Sequence, residues 1–194
     1  MIKLIGFYDY TVILTYMSII SAVIGMVQGS KGCFTFAIIC LFFSGVCDAF
    51  DGTVARTKKN RTDDEKAFGI QLDSLCDVVS FGVFPAVLCV YMGTDGVFGV
   101  ICACLYSLCA VIRLGFFNVL EAKRQQVEEG SNKFYRGLPV TSISLIFPFI
   151  YLFHDLFKEP VFDGILCAML LLVAFLFVLD FKVKKPDIKK LVTR

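Results

Sequence analysis

Four aspartates are the residues of this chain best suited to chemistry. Asp48 and Asp51 are three residues apart, and Asp73 and Asp77 are four residues apart. On a helix either spacing places both carboxylates on one face, one turn apart. If the two helices run antiparallel through the short polar loop between them, all four carboxylates meet at one depth. Their mutual repulsion and desolvation would be costly unless cations were bound there.

The candidate ligand atoms are carboxylate oxygens, which favour Mg²⁺ or Mn²⁺, and four carboxylates can hold two such ions about 3.5–4 Å apart. Arg56 follows on the next turn after Asp51 and suits a phosphate oxygen. Small residues at Gly52, Ala55 and Gly69 would let a bulky ligand approach the backbone. Metals and a guanidinium at a lipid interface predict phosphoryl-type transfer involving a lipid pyrophosphate. Hydrolysis and transfer both stay open at this point.

The aspartates could also serve a structural role or a transport role. Acidic residues in membrane proteins often pair with basic residues or cap helix ends. Such a role explains one aspartate more readily than four aspartates at these spacings. A cation or lipid transporter could use the same acids, but transporter sites usually lie near the bilayer midplane, whereas this cluster lies at the edge of the apolar segments. The spacing of Arg56 and the small residues favours an enzyme, because ion passage needs no pyrophosphate clamp.

Membrane-spanning helices must position these residues. The 194-residue chain is 57% hydrophobic and 19% charged, with a mean hydropathy of +0.76, whereas a soluble domain is about 45–50% apolar and about 25% charged. Six stretches contain no Asp, Glu, Lys or Arg: residues 10–30, 32–47, 78–94, 96–112, 137–153 and 164–179. Because a membrane-crossing helix needs about 20 mostly apolar residues, we expect an all-α integral membrane protein with six transmembrane helices.

The packing of these helices can be anticipated in outline. Glycines allow membrane helices to approach closely, and the expected contact positions are Gly45, Gly82, Gly99 and Gly115. Strands are not expected, because an open sheet edge cannot be satisfied in lipid. No linker divides the chain, so residues 1–194 are predicted to form a single transmembrane catalytic domain.

The basic residues predict the orientation. Most of the 19 Lys and Arg residues lie at the end of the bundle that carries the aspartates, whereas Lys31 and Lys158 lie at the other end. The positive-inside rule then places both termini and the site on the cytoplasmic side of the cell membrane. We expect residues 1–9 to lie along the interface as a short amphipathic segment. Residues 182–194 form a basic cytoplasmic tail, expected to contact membrane lipids and no nucleic acid.

Eight positions form one pattern, which reads Asp48-x2-Asp51-Gly52-x2-Ala55-Arg56-x12-Gly69-x3-Asp73-x3-Asp77. This pattern resembles the signature of the CDP-alcohol phosphotransferases. The resemblance implies the fold of that family, a homodimer, and a reaction in which an acceptor hydroxyl attacks the lipid-side phosphorus of a CDP-linked lipid and releases CMP. It implies two divalent cations held by Asp48, Asp51, Asp73 and Asp77, with Asp77 also the catalytic base. It assigns CDP-lipid binding to Gly52, Ala55, Arg56 and Gly69.

Three further segments concern the acceptor: SFGVFPA from Ser80, RLGFFN from Arg113 and KFYRGLP from Lys133. They are similar to segments of the phosphatidylserine synthase branch of that family, although Phe116 stands where the branch often has a second Arg. The similarity implies L-serine as acceptor and CDP-diacylglycerol or CDP-archaeol as donor. The predicted serine-binding residues are Ser80, Arg113, Asn118, Lys133 and Arg136. A sister enzyme that uses glycerol 3-phosphate or an inositol phosphate is the alternative within the family.

Overall fold

The computed structural model describes residues 5–55, 57–58, 60–125 and 134–184, and at 123–125, 134–136 and 182–184 it describes the backbone alone. Seven α-helices lie in these residues: α1 Ile13–Gly29, α2 Phe34–Ala55, α3 Asp63–Asp77, α4 Phe84–Tyr91, α5 Val97–Gln125, α6 Ile143–Tyr151 and α7 Glu159–Val178. A π-helical segment, Val78–Val83, joins α3 directly to α4. Short 3₁₀ turns are found at Tyr10–Val12, Val140–Ser142 and His154–Leu156.

The helices confirm the predicted all-α membrane fold. Five helical segments are long and apolar enough to cross a bilayer: Tyr10–Gly29, Phe34–Ala55, Asp63–Tyr91, Val97–Ala122 and Glu159–Val178. The sixth, Val140–Leu156, is apolar but shorter. Many large hydrophobic side chains on α1, α2, α5 and α7 are exposed on the outside of the bundle, as lipid-facing surfaces require.

A short antiparallel ladder departs from the expectation of no strands. Strand β1, Phe134–Arg136, pairs with strand β2, Lys182–Lys184. Beside the ladder, the Gly137 amide donates to the Phe181 carbonyl oxygen at 2.7 Å. The ladder lies outside the apolar segments, where water can form hydrogen bonds with its open edges. The constraint that excludes open sheet edges from lipid therefore does not affect it. It ties the chain before α6 to the chain after α7.

The π-helical segment that follows α3 is held against α5 by side-chain hydrogen bonds. A π turn leaves backbone carbonyls without their usual helical partners. The Tyr106 hydroxyl donates to the Phe81 carbonyl oxygen at 2.6 Å, and the Ser107 hydroxyl donates to the Gly82 carbonyl oxygen at 2.8 Å. Tyr106 and Phe81 are fully buried in the core of the bundle. The segment that follows Asp77 is therefore anchored from α5.

The expected close contacts occur at two of the four glycines. A Cβ at Gly45 would overlap the Ser144 hydroxyl of α6, and one at Gly82 would lie 3.2 Å from the Ala110 Cβ of α5. Gly99 instead approaches the backbone of the loop before its own helix, and an added Cβ at Gly115 meets no atom of the described residues within 4 Å. The expectation of a helix–helix contact was therefore wrong for Gly99 and for Gly115, which is exposed on α5.

Replacing Gly45 with Ala should destabilise the protein, because α6 would have to move away from α2. Overpacking of this kind costs about 1–3 kcal/mol, which should appear as a lower Tm of the purified protein in detergent. Gly115→Ala is the matched control, since it adds the same methyl group to open space and improves helix propensity. Equal Tm values for the two variants would contradict the close α2–α6 contact.

Candidate active site

Three of the four aspartates form a compact cluster. Asp48 lies on α2, and Asp73 and Asp77 lie on the last turns of α3. One carboxylate oxygen from each lies within 4.8 Å of the others. Asp77 is the most enclosed of them, with 8% of its surface exposed. The predicted convergence of acids from two neighbouring helices therefore places three carboxylates in reach of one ion.

Asp51 adjoins this cluster without belonging to the group of three. The Thr15 hydroxyl of α1 donates to Asp51 Oδ2 at 3.3 Å. The side chains meet in pairs across the two helices, Asp48 with Asp77 and Asp51 with Asp73. This pairing follows because α2 and α3 run in opposite directions, so the later residue of one helix meets the earlier residue of the other.

The carboxylate oxygens of the four aspartates are suitable ligands for divalent cations. Asp73 Oδ1 is buried and accepts no hydrogen bond from the described residues, which is costly for a polar atom unless a ligand satisfies it. Among the described residues, no Lys or Arg forms a salt bridge with any of the four aspartates. Acid–base pairing within the described part of the chain therefore does not account for them. Ligands that are all carboxylate oxygens suit Mg²⁺ or Mn²⁺.

A large cavity of about 900 Å³ opens beside the cluster, between α2, α3, α5 and the start of α6. Part of its wall is apolar, with Phe42 and Val46 from α2 and Leu145 from α6. The wall formed by α5 is polar and carries Arg113, Phe117, Asn118 and Glu121. A cavity with both kinds of wall can take a ligand that is part lipid and part polar.

Arg113 is fixed in that wall, with 7% of its surface exposed. Its Nη1 donates to the Phe177 carbonyl oxygen at 3.2 Å, and its guanidinium carbon lies 4.6 Å from the centre of the Phe117 ring. A Cβ at Gly137 would lie 2.6 Å from the same Nη1, and Gly137 has a φ of +66°. Sequence reasoning missed Gly137 as a site residue, although it lies in the segment quoted for the acceptor.

Asn118 is oriented by a neighbour on α3. The Ser74 hydroxyl donates to Asn118 Oδ1 at 2.7 Å, which leaves the amide nitrogen of Asn118 as the donor available for other contacts. Sequence reasoning missed both Ser74 and Glu121. Helical spacing could have found Glu121, because it lies eight residues after Arg113 and thus on the same side of α5.

The other predicted serine-binding residues have different outcomes. Ser80 is not among the residues that line the large cavity, and its predicted contact with serine stays a prediction. Ser80 is fully buried in the π-helical segment, where the Ser18 hydroxyl donates to its oxygen at 3.4 Å, because the segment turns Ser80 towards α1. Lys133 lies outside the described residues. Arg136 is described only by its backbone, in β1.

A second, smaller cavity of about 130 Å³ lies on the other side of Asp51 and Asp73, which line both cavities. Its lining includes three of the predicted CDP-lipid residues, Gly52, Ala55 and Gly69. Arg56, the fourth, lies outside the described residues. The remaining lining residues are Thr11, Val12, Thr15, Arg61, Lys66 and Ile70.

Comparison with known proteins decides the family. The model of the CDP-alcohol phosphatidyltransferase family matches residues 10–180, a range that contains the four aspartates and both cavities. The chain belongs to this family. The match confirms the family that the eight-position pattern resembles.

Curated relatives of the family are similar over different lengths. A CDP-diacylglycerol–serine O-phosphatidyltransferase of Saccharomyces cerevisiae is 37% identical over 62% of this chain and 42% of its own length. One of Methanocaldococcus jannaschii is 31% identical over 94% of this chain and 76% of its own length. An archaetidylserine synthase of Methanothermobacter thermautotrophicus is 30% identical over 77% of this chain and 60% of its own length. The chain thus aligns with less than half of the yeast relative.

Proposed function

We propose that this multi-pass membrane protein transfers a phosphatidyl or archaetidyl group from a CDP-linked lipid to the hydroxyl of L-serine, releasing CMP. The observation that carries the proposal is the aspartate cluster at the junction of two cavities. Ala55 and Gly69 line the small cavity, Arg113 and Asn118 line the large one, and Gly52 lines both. The names of the aligned relatives support serine as the acceptor.

We assign the four aspartates to two divalent cations, Mg²⁺ or Mn²⁺. When bound, such cations act as Lewis acids that stabilise negative charge on the pyrophosphate and on the departing CMP. The aspartates hold their carboxylates ready on two helices that pack against each other, so little rearrangement is needed on binding. Asp73 supports this assignment most directly, because its buried Oδ1 has no hydrogen-bond partner within the described ranges.

Asp77 is assigned as the base for the acceptor hydroxyl. Its carboxylate lines the large cavity at the end of α3, and a carboxylate within reach of the nucleophile can take its proton. As the serine oxygen forms a bond with the lipid-side phosphorus, the hydroxyl proton passes to Asp77. The bond between that phosphorus and the bridging oxygen breaks, and CMP leaves with the bonding electrons.

The carboxylate of serine is assigned to Arg113 and Asn118. The Phe177 carbonyl and the Phe117 ring hold the guanidinium in a fixed orientation in the wall of the large cavity. The Asn118 amide nitrogen adds a neutral donor next to it. The apolar wall on α2 and α6 would take the start of the lipid chains.

Replacing Arg113 with Lys should raise the KM for serine about tenfold, because lysine keeps the charge but loses the planar pair of donors. The KM for the CDP-linked lipid should change little. Initial rates of CMP release at varied serine and saturating CDP-diacylglycerol measure the effect, and a Tm measurement controls for loss of the contact with Phe177. An effect confined to the lipid KM would contradict the assignment.

A panel of acceptors tests the proposed function. The purified protein is given CDP-diacylglycerol or CDP-archaeol, Mn²⁺ or Mg²⁺, and serine, glycerol 3-phosphate or an inositol phosphate in turn. We expect CMP release that depends on serine. Release only with glycerol 3-phosphate or the inositol phosphate would move the protein to a sister reaction of the family.

We further propose that the aspartate end of the bundle and both termini face the cytoplasm of the cell membrane, and that the protein is a homodimer. The distribution of Lys and Arg supports the orientation, and family membership supports the dimer. Residues 1–4 of the predicted interfacial segment and residues 185–194 of the predicted basic tail lie outside the described residues.

A further inference from the structure

An arginine outside the family signature lies against one of the signature glycines. Arg61 precedes Thr62, the residue that caps the start of α3. Its Nη2 donates to the Glu65 carbonyl oxygen at 3.0 Å, and a Cβ added at Gly69 would lie 2.6 Å from the same nitrogen. The guanidinium therefore lies across the first turns of α3, in space that a side chain at position 69 would fill.

The Arg61 guanidinium has a donor without an acceptor. Its Nε is buried and donates to no acceptor in the described part of the chain, and no described carboxylate forms a salt bridge with it. Leaving a buried N–H unsatisfied is costly, so such a group in a native protein calls for a ligand. Arg61 lines the small cavity, and Lys66 adds a second positive charge to that lining.

The position of this donor indicates the chemistry of its ligand. A guanidinium with free N–H groups is suited to phosphate oxygens. The small cavity meets the large one at Asp51 and Asp73, so a pyrophosphate that reaches the aspartate cluster can extend one phosphate towards Arg61. We propose that Arg61 binds the phosphate of the CMP half of the CDP-linked lipid, an inference that rests on the proposed function.

The segment before α1 contacts the loop between α2 and α3, which contains Arg61. Lys58 Nζ lies 2.8 Å from Asp9 Oδ2 and 3.0 Å from Glu65 Oε1. The same lysine lowers the pKa of Asp9 to about 2 by hydrogen bonding, so this pair stays charged at neutral pH. Since the backbone oxygen of Glu65 accepts from Arg61, Lys58 links the segment before α1 to the residue that orients the guanidinium.

Two further contacts strengthen this link. The Tyr10 and Thr57 hydroxyls lie 3.1 Å apart, within hydrogen-bonding distance. The rings of Phe7 and Phe68 meet edge to face, with their centres 5.5 Å apart. Lys58 is accordingly a positioning residue for Arg61, and it need not touch the nucleotide itself.

The test compares the binding of CMP and cytidine to the purified protein by calorimetry in the presence of Mn²⁺. Arg61→Gln should weaken CMP binding about tenfold to a hundredfold, the usual range for a charge-assisted hydrogen bond, and leave cytidine binding unchanged. Arg61→Lys should recover part of the loss. Lys31→Gln, which removes one exposed positive charge at the other end of the bundle, should bind CMP like the wild type.

Lys58→Met should raise the KM for the CDP-linked lipid while the KM for serine stays constant, since only the nucleotide side is disturbed. Unchanged CMP affinity in Arg61→Gln, or equal losses for CMP and cytidine, would overturn the inference. If Arg61→Gln does not fold, Arg61→Lys carries the test, with a smaller loss expected for CMP and none for cytidine. Because CMP binding needs no acceptor, a failure of serine as substrate would leave this result intact and would count only against the proposed function.

Discussion

Replacing Asp77 with Asn should reduce turnover by about a hundredfold to ten-thousandfold, the range attributed to a single general base. Asparagine has nearly the same size as aspartate but cannot take a proton from the acceptor hydroxyl. Binding of the CDP-linked lipid should be largely retained, because the other three aspartates remain. The measurement is kcat for CMP release together with the affinity for CMP at saturating Mn²⁺.

Asp155→Asn provides the matched control for this substitution. Asp155 is an exposed acid at the opposite end of the bundle, with 87% of its side chain exposed, so its replacement should leave kcat unchanged. Turnover in Asp77→Asn close to that of the wild type would rule out Asp77 as the base. Loss of CMP binding together with turnover would instead indicate that its main role is to hold metal.

Removal of divalent cations should abolish CMP release, and Mn²⁺ or Mg²⁺ should restore it. Asp73→Asn should raise the Mn²⁺ concentration needed for half-maximal activity about tenfold to a hundredfold or more. Metal affinity falls by this factor even when the residue removed only supports a metal ligand. The reason is the buried Asp73 Oδ1, which has no hydrogen-bond partner among the described residues. In asparagine this oxygen becomes either an amide oxygen, which is a weaker ligand, or an amide nitrogen, which is a donor.

Asp64→Asn is the control on the same helix, because Asp64 is exposed at the start of α3. Its Mn²⁺ requirement should equal that of the wild type. Activity that survives exhaustive chelation, or an unchanged Mn²⁺ requirement in Asp73→Asn, would contradict the metal assignment.

The arrangement of the aspartates could be predicted because it depends on local geometry. Spacings of three and four residues fix a shared helix face, and a short polar loop forces α2 and α3 to run antiparallel. The apolar stretches likewise predicted the six apolar helical segments, of which five are long enough to span a bilayer and one, Val140–Leu156, is shorter. The confirmed fold rests on these two rules.

The residues that orient the site depend on tertiary contacts that no spacing rule contains. The π-helical segment turns Ser80 towards Ser18 and away from the large cavity. Ser74 and Asn118 meet from helices that are far apart in sequence. The space left for Arg113 by Gly137 depends on how the chain before α6 packs beside the end of α7. Helical periodicity alone would have assigned each of these residues to a face, but not to a partner.

The central claim is that aspartates from α2 and α3 hold two divalent cations where the two cavities meet. Mn²⁺ titration of the purified protein with CMP present, followed by electron paramagnetic resonance, tests this most directly. We expect two bound Mn²⁺ per chain, with spectra broadened by their separation of about 3.5–4 Å, and loss of this signal in Asp48→Asn and Asp73→Asn. An absence of saturable Mn²⁺ binding, or binding that both substitutions leave unchanged, would contradict this claim.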